Sequence, residues 1–577
     1  GDSIRLYDAT TGKERLRIDR KQATGLVFTD GGKTLTAAVS GAIYRWDTAT
    51  GKTLTPESAG ESIVDQILVT ADGRRVITRG QDGDGHLWDA ATGEHLRHLP
   101  AAWQRGLALS PDGRFLVWPV VDEAVKYTKP TEPGTTYFGN RLKLYDLTAD
   151  RFVERFPGFK GDAQVLAFAP DGKTLVTVDH GNATVRVWDV AAGKELRSFR
   201  VAREDEKTRP HSVWSASLSP DGATLAVTYQ RGDDSTALIG PYAVRLYDVA
   251  TGTERHDLPG HLYYVSAPAF SPDGKLVVTV SPALSDFFQK QLKRPANQVF
   301  VWDVKTGKRV ARLPDGLPIG AVAAAFSPDG RTVALAHGVE FGGAAQLPKD
   351  VGTVRLYETA TWTVRATLRT GQGRVTALAF TPGGRLLTGG LDTTVLAWDL
   401  RPPRVAASVS LENAWDNLAT REAGESFKSE GRFLAAPADA VKFLAGRVKP
   451  VTALDPRAIQ GLLADLGSAK FAVREAASKA LLELDQQALP YLEETLKSAK
   501  TLEVRLRVQR ILEQKQQAGL TSEEVRQIRA VMVLEQIGDG ESKKVLKRWA
   551  GGPVGALLTL EASAALKRLE AVSKASR

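Results

Sequence analysis

The stretch that decides the fold reads FSPDGK at residues 270–275, and VWDVKTGK follows it at residues 301–308 after a short apolar run. Both halves recur along the first 400 residues. The first half returns, with small changes, at Leu109, Phe168, Leu218, Phe326 and Phe380. In each copy proline presets φ at the first turn position and glycine takes a position that needs positive φ. Each copy therefore predicts a tight hairpin between two strands.

The second half ends a predicted strand with an aromatic residue and an acid. The aromatic residue occurs nine times, at Tyr7, Trp46, Trp88, Tyr145, Trp188, Tyr247, Trp302, Tyr357 and Trp398. A turn of the Thr-Gly-Lys type follows most copies, and a second short apolar run comes after it. Successive copies lie 39 to 59 residues apart. The short intervals fit a bare repeat of about 40–45 residues, and the long ones must contain insertions.

The repeat therefore has four strands, here called a, b, c and d, with the Pro-Asp-Gly turn between a and b and the aromatic–acid pair at the end of c. This unit resembles the WD40 family of β-propellers, in which each unit forms one blade of a closed ring. The resemblance implies an all-β propeller over residues 1–410. Nine c strands and eight a–b hairpins predict about eight blades, with the N-terminal strands completing a shared closing blade. A second, truncated propeller is the alternative, and because the chain starts at a c strand, a preceding segment is expected.

One dipeptide of the family pattern occurs before a single strand a, at Gly260-His261. In WD40 blades this histidine joins a structural hydrogen-bond network, so the resemblance implies a structural role for His261. It implies the same for the tryptophans that end the c strands, namely Trp46, Trp88, Trp188, Trp302 and Trp398. The other blades depart from the pattern, so strand pairing and apolar packing are expected to hold them.

The insertions predict a binding face. Four fall in b–c loops, at Val120–Gly139, Gln230–Tyr242, Ser281–Gln298 and Gly338–Gly352, and a fifth falls in a d–a loop at Ala202–Arg209. Because consecutive strands alternate in direction, these loops share one face of the ring. Insertions commonly mark the binding face of repeat proteins, and aromatic and arginine side chains commonly anchor partners. The predicted partner-binding residues are Tyr137, Phe138, Tyr242, Tyr263, Tyr264, Phe287, Phe288, Arg294 and Phe341. The alternative is that Phe287 and Phe288 hold their own loop against the ring.

After Asp399 helical periodicity replaces the turn signals. Residues 411–454 are interpreted as a helical linker and residues 455–577 as an α-helical domain similar to HEAT repeats, because Val473-Arg474 and Val504-Arg505 open similar helices. The whole chain resembles large bacterial WD40 proteins that end in such a domain, which implies interaction roles and supplies no catalytic residues. Basic clusters at 505–510 and 543–548 could contact phosphates, but Glu503, Glu513 and Glu541 interleave with them.

The sequence contains no catalytic or metal-binding pattern that we can assign. Cysteine is absent, which excludes thiol chemistry and disulfides. Three histidines lie close together, but the two-residue period of a strand would place His95 and His98 on opposite faces, so no metal site is predicted with His86. No cofactor is predicted. No apolar run reaches the roughly 20 residues of a membrane helix. A soluble protein is expected, and both a cytoplasmic and an exported location remain open.

The chain of 577 residues has 42% hydrophobic and 25% charged residues and a net charge of +9, so it has ordinary globular composition and no charge signature for nucleic acid. We predict an all-β propeller followed by an all-α domain. The predicted function is a non-enzymatic scaffold that binds a protein or peptide on its insertion-rich face. The alternatives are a hydrolase acting at the central channel, and a nucleic-acid adaptor working through the basic helical edges.

Overall fold

The structure is a computed structural model. It describes residues 3–7, 11, 13–18, 23–29, 33–39, 42–52, 63–80, 84–99, 106–128, 136–153, 156, 163–179, 183–201, 213–230, 239–263, 265–266, 268–281, 298–313, 321–337, 352–403, 409–449 and 451–575. The chain forms two compact units. The first comprises Gly1–Leu356 and Thr367–Leu400, and the second comprises Tyr357–Ala366 and Arg401–Arg577.

The strands of the first unit form antiparallel meanders, as the alternating turns predict. Two small sheets come first: β1 (Ile4–Tyr7) and β2 (Glu14–Ile18), then β3 (Ala23–Thr29), β4 (Thr34–Val39) and β5 (Ala42–Asp47). Seven further sheets follow. They are β6 (Val64–Val69), β7 (Arg75–Gly80), β8 (Gly85–Asp89), β9 (His95–Leu99); β10 (Ala108–Leu109), β11 (Phe115–Thr128), β12 (Thr136–Asp146), β13 (Arg151–Val153); β14 (Ala163–Phe168), β15 (Thr174–Asp179), β16 (Thr184–Asp189), β17 (Lys194–Arg200); β18 (Val213–Leu218), β19 (Thr224–Gln230), β20 (Ile239–Asp248), β21 (Glu254–Tyr263); β22 (Ala269–Phe270), β23 (Leu276–Ser281), β24 (Gln298–Asp303), β25 (Arg309–Arg312); β26 (Ala321–Phe326), β27 (Thr332–His337), β28 (Thr353–Glu358), β29 (Val364–Arg369); and β30 (Val375–Phe380), β31 (Leu386–Gly390), β32 (Val395–Trp398).

The ring closes between the sheet β6–β9 and the sheet β30–β32. Val64 and Ile67 of β6 share an apolar core with Ala377 of β30 and Leu387 of β31. The Thr376 hydroxyl donates to the carbonyl of Val64 at 2.5 Å. A propeller of seven blades is therefore closed by side-chain packing at this seam.

The predicted count of about eight blades is wrong, and so is the shared closing blade. Among the described residues, β30–β32 form a three-stranded sheet of their own, and β1 pairs with β2. The two N-terminal sheets pack against each other through Ile4, Ile18, Leu35 and Trp46, outside the closed ring. The count of repeats was too high because every sheet contains a repeat. A sheet becomes a blade of the ring only if its faces pack against those of its neighbours.

Each blade is held by two kinds of turn that the repeat predicts. In the c–d turn after Trp88, Asp89 Oδ1 accepts hydrogen bonds from the backbone of Ala91 and Thr92 at 2.9 and 2.8 Å, and Gly93 takes a φ of 72°. Strands c and d are also irregular at one place, because the register shifts just before the aromatic residue in several blades, as at Trp88, Trp188 and Trp302. This bulge changes which residues of strand d share a face with strand c.

The second unit is helical, as predicted, and shows ten α-helices in its described part. They are α1 (Leu411–Asn417), α2 (Ala423–Ala435), α3 (Pro437–Arg447), α4 (Pro456–Asp465), α5 (Phe471–Glu483), α6 (Leu489–Ser498), α7 (Leu502–Ala518), α8 (Ser522–Ile537), α9 (Gly540–Ala550) and α10 (Leu557–Ala575). None of the described helices is long and apolar enough to cross a membrane.

The helical unit has two apolar cores. One joins α1–α3 to α8–α10 through Trp415, Phe433, Leu444, Leu534 and Trp549. The other lies within residues 454–512 and includes Leu481, Leu492 and Val508. Residues 411–447, which the sequence presents as a linker, thus contribute side chains to the first core.

Candidate functional site

The face that carries the b–c and d–a loops is marked by a long two-stranded arm. Strands β11 and β12 have 14 and 11 residues, whereas b strands such as β15 and β27 have 6. Their pairing continues from Asp122–Gly139 through an irregularity to Lys126–Phe138 and Thr128–Thr136. Eight residues of β11 follow Val120, which corresponds to roughly 25 Å of extended chain. Much of the first predicted insertion is thus ordered β-structure.

A second extension lies on the same face, two blades further along the chain. Strands β20 and β21 have ten residues each. The pairs Tyr242–His261 and Ile239–Tyr263 prolong the start of strand c and the end of strand d. Since strand c starts, and strand d ends, on the side of the b–c and d–a loops, both extensions leave the ring on one face.

The predicted partner-binding residues fall into three groups. Tyr137, Phe138 and Tyr263 lie on the extended strands, where the structure describes their backbone and not their side chains. Tyr242, predicted as a partner-binding residue, is 3% exposed and packs in a blade core with Val244 and Phe300, so its ring lies inside the blade. Tyr264, Phe287, Phe288, Arg294 and Phe341 lie outside the described residues.

The opposite face consists of short turns of one design. In five of the seven a–b turns of the ring a serine or threonine donates to the aspartate two residues later, as in Ser219–Asp221 and Ser271–Asp273 at 2.5 and 2.7 Å. Prolines of these turns lie against the turn glycine of the next blade, as Pro170 does against Gly222. Pro382 packs in the same way on Gly73, across the seam of the ring. This face therefore keeps its minimal turns all round the ring.

His261 belongs to a buried hydrogen-bond network. The Trp302 indole donates to the Thr279 hydroxyl at 2.8 Å, and that hydroxyl lies 2.8 Å from His261 Nε2. Burial lowers the pKa of His261 to about 3, so the imidazole is neutral. Three other anchoring tryptophans, Trp88, Trp188 and Trp398, also donate to a threonine of strand b. Trp46 is buried in the N-terminal core.

Sequence reasoning missed a glutamine that occupies the histidine position in the last blade. The Thr388 hydroxyl accepts from Trp398 at 3.0 Å and donates to Gln372 Oε1 at 2.6 Å. Gln372 Nε2 donates to the carbonyls of Thr388 and Thr394. The signal was the Gly371-Gln372 pair eight residues before Phe380, which stands where Gly260-His261 precedes Phe270 by nine.

A second missed feature is a cross-strand pair between c and d, with its members nine residues apart. It is an ion pair in the N-terminal sheet of β1 and β2, at Arg5–Glu14, and in two blades, at Arg186–Glu195 and Arg245–Glu254, with distances of 3.4 to 3.7 Å. In two further blades an aromatic ring replaces one charge. Lys143 lies over Phe152 and Arg309 lies over Phe300, each 5.0 Å from the ring centroid. The constant spacing follows from the constant c–d turn and its bulge.

Two residues of the basic edges of the helical unit are paired with acids. Arg507 lies 2.7 Å from Glu503 and 3.0 Å from Glu475, and Lys544 lies 2.7 Å from Glu541. Exposed pairs of this kind contribute little to stability, but they neutralise the charge that a phosphate backbone would meet.

Comparison with known families identifies the repeats of the first unit. The profile of the WD domain, G-beta repeat, matches residues 151–189, 252–286 and 362–399. The first and third matches each run from a strand d through strands a and b to strand c of the next blade, and the second runs from a strand d through strands a and b. These three segments of the propeller match WD40 repeats. Propellers of this family are generally protein-interaction scaffolds and typically lack enzymatic activity.

Several curated proteins resemble parts of the chain. A WD repeat-containing protein of Deinococcus radiodurans is 25% identical over 224 residues, which is 36% of this chain and 75% of that protein. A WD repeat-containing protein of Synechocystis is 27% identical over 31% of this chain and 42% of its own length. The transcription initiation factor TFIID subunit 5 of Caenorhabditis elegans is 22% identical over 37% of this chain and 34% of its own. Apart from the Deinococcus protein, the chain spans half or less of each relative that it matches.

Proposed function

We propose that this protein is a non-enzymatic scaffold whose WD40 propeller binds a protein or peptide partner on the face of the b–c and d–a loops. The single observation that carries the proposal is the asymmetry between the two faces. One face bears the β11–β12 arm and the β20–β21 extension, whereas the other is made of minimal turns. The ring closes without the arm or the extension, so these two elements are available to bind a partner.

The arm also has the properties of a partner-binding element. Among the described residues, β10 pairs with β11 only at Leu116 and Val117, and β13 pairs with β12 only from Leu144 to Asp146. The arm beyond these points is a two-stranded ribbon without a third described strand. Ribbons of two strands are only marginally stable in water by themselves, and a partner that packs on the arm or extends its sheet would stabilise it.

The arm can be removed without disturbing the blade. Asp122 and Gly139 are cross-strand partners, so replacing residues 123–138 by Asn-Gly closes a two-residue hairpin in the existing register. We expect the full-length armless variant to keep the melting temperature of the wild type within about 2 °C, because the described core residues of this blade lie outside residues 123–138. Recovery of partners by affinity capture from the native host, measured by quantitative mass spectrometry, should fall about tenfold or more, as expected when binding anchors are lost.

A substitution on the opposite face provides the control. Lys173 is exposed in the a–b turn after Pro170, and Lys173→Glu should retain the wild-type set of partners. The proposal fails if the armless chain recovers the same partners at the same level, or if Lys173→Glu loses them instead.

A further inference from the structure

Three histidines and an aspartate meet on one face of the blade β6–β9. On strand β8, His86 and Trp88 share a face because they are two residues apart. On strand β9, the bulge opposite Trp88 makes His86 pair with His98 and Trp88 pair with His95. The bulge therefore brings His95 and His98 to the same face although they are three residues apart. The two-residue period of a regular strand, which predicts that they lie on opposite faces, does not hold here.

The four groups already contact one another. His86 Nδ1 lies 3.0 Å from His95 Nε2, and His98 Nε2 lies 3.0 Å from Asp84 Oδ2. The ring centroid of His86 is 5.2 Å from those of both His95 and His98. His86 is 8% exposed, whereas the side chains of His98 and Asp84 are 37% and 41% exposed, so the cluster is open to solvent on one side.

We propose that Asp84, His86, His95 and His98 bind one divalent transition-metal ion of the zinc type at the rim of this blade. Imidazole and carboxylate groups are preferred zinc ligands, at about 2.0–2.2 Å. Two nitrogens on one tetrahedral ion are then roughly 3.3 Å apart, with ring centroids about 5 Å apart, which is close to the arrangement of His86, His95 and His98.

Binding replaces the present contacts within the cluster. As the side chains stand, no three His, Asp or Glu groups in the described ranges are arranged to hold a metal ion. The ion takes the position between His86 Nδ1 and His95 Nε2, the proton that these nitrogens share moves to the other nitrogen of the donor ring, and His98 turns towards the ion. Trp88 packs against the His95 ring at a centroid distance of 4.9 Å and holds its orientation.

The test is titration of the untagged full-length chain with zinc chloride by isothermal calorimetry. We expect one ion per chain. His95→Ala and His98→Ala, both at half-buried positions, should each weaken binding about tenfold or more, as loss of a ligand does. Affinity should also fall as the pH is lowered below about 6, because protons compete for imidazole nitrogens.

His256 supplies the matched control, because it lies on strand d of another blade and hydrogen-bonds to the carbonyl of Lys305. His256→Ala should bind zinc within about twofold of the wild type. Melting temperatures without metal report whether each variant is folded, and added zinc should raise the melting temperature of the wild type and not of His95→Ala. The proposal is overturned if the wild type binds no zinc, or if folded His95→Ala and His98→Ala bind it as the wild type does.

Discussion

Replacing Arg529 by methionine is expected to lower the free energy of unfolding of the helical unit by about 3–5 kcal/mol, the range for breaking a buried ion pair. The Arg529 side chain is fully buried. It donates to both carboxylate oxygens of Glu358 at 2.8 and 2.6 Å, and to the carbonyls of Leu418 and Thr420 at 2.8 and 2.6 Å. Methionine would leave a buried carboxylate and two carbonyls without these donors.

The neighbouring charges cannot replace the lost one. Arg365 lies 3.9 Å from Glu358 but donates to Glu430 at 2.5 Å, and Glu430 is itself fully buried. Burial works to raise the pKa of Glu358, and the hydrogen bonds and charge of Arg529 outweigh it and hold that pKa below its usual range. Without Arg529 the effect of burial dominates. The Glu358 carboxylate then either stays charged without the Arg529 ion pair or takes up a proton.

The measurement is urea unfolding of the full chain followed by its helical circular dichroism. Arg568→Met is the matched control, because Arg568 also makes two bonds to one carboxylate, that of Glu535, at 2.6 and 2.8 Å. That pair is more exposed, with 27% and 16% of the side chains accessible, so its loss should cost no more than about 1 kcal/mol. Equal losses from the two variants would contradict the interpretation of the buried cluster.

The second large effect concerns the pH dependence of the propeller. Burial lowers the pKa of His261 to about 3, while an unfolded histidine titrates near 6.5. The unfolded chain therefore binds the additional proton, and the contribution of this residue is fully present above about pH 6.5 and is lost as the pH falls towards 3. The free energy of unfolding should decrease by up to about 1.4 kcal/mol per pH unit from this residue alone.

His261→Gln should remove that slope, because glutamine does not titrate and Gln372 already makes the equivalent bond to Thr388 in the last blade. Urea unfolding at pH 7 and pH 5, followed by tryptophan fluorescence, should show the wild type losing about 2 kcal/mol more than the variant. An unchanged slope in His261→Gln would show that His261 is not held neutral.

The outcome for individual residues shows what local pattern can predict. The glycine of the Pro-Asp-Gly turn and the aspartate of the aromatic–acid pair act within a few residues, and the structure has both in their expected turns. The sequence did not predict the burial of Tyr242, because its position beside an insertion says nothing about which face of an extended strand it occupies. The structure puts that residue opposite His261, in the blade core.

The sequence also could not predict which residues of strand d share a face of the blade. A strict two-residue period separates His95 from His98, and a single bulge at Trp88 joins them. Bulges depend on how the c–d turn closes and on the twist that the whole blade adopts, so no single residue type announces them.

The sequence by itself determined that the first unit is a β-propeller of four-stranded repeats and that a helical unit follows, because turn chemistry and hydrophobic period are local properties repeated many times. Only the tertiary structure decided that the ring has seven blades. Closure requires the apolar faces of β6 and β30 to meet, and that complementarity arises between residues about 310 positions apart, such as Val64 and Thr376. The same reason explains the buried pair of Glu358 with Arg529, whose partners are 171 positions apart in the sequence and meet through packing.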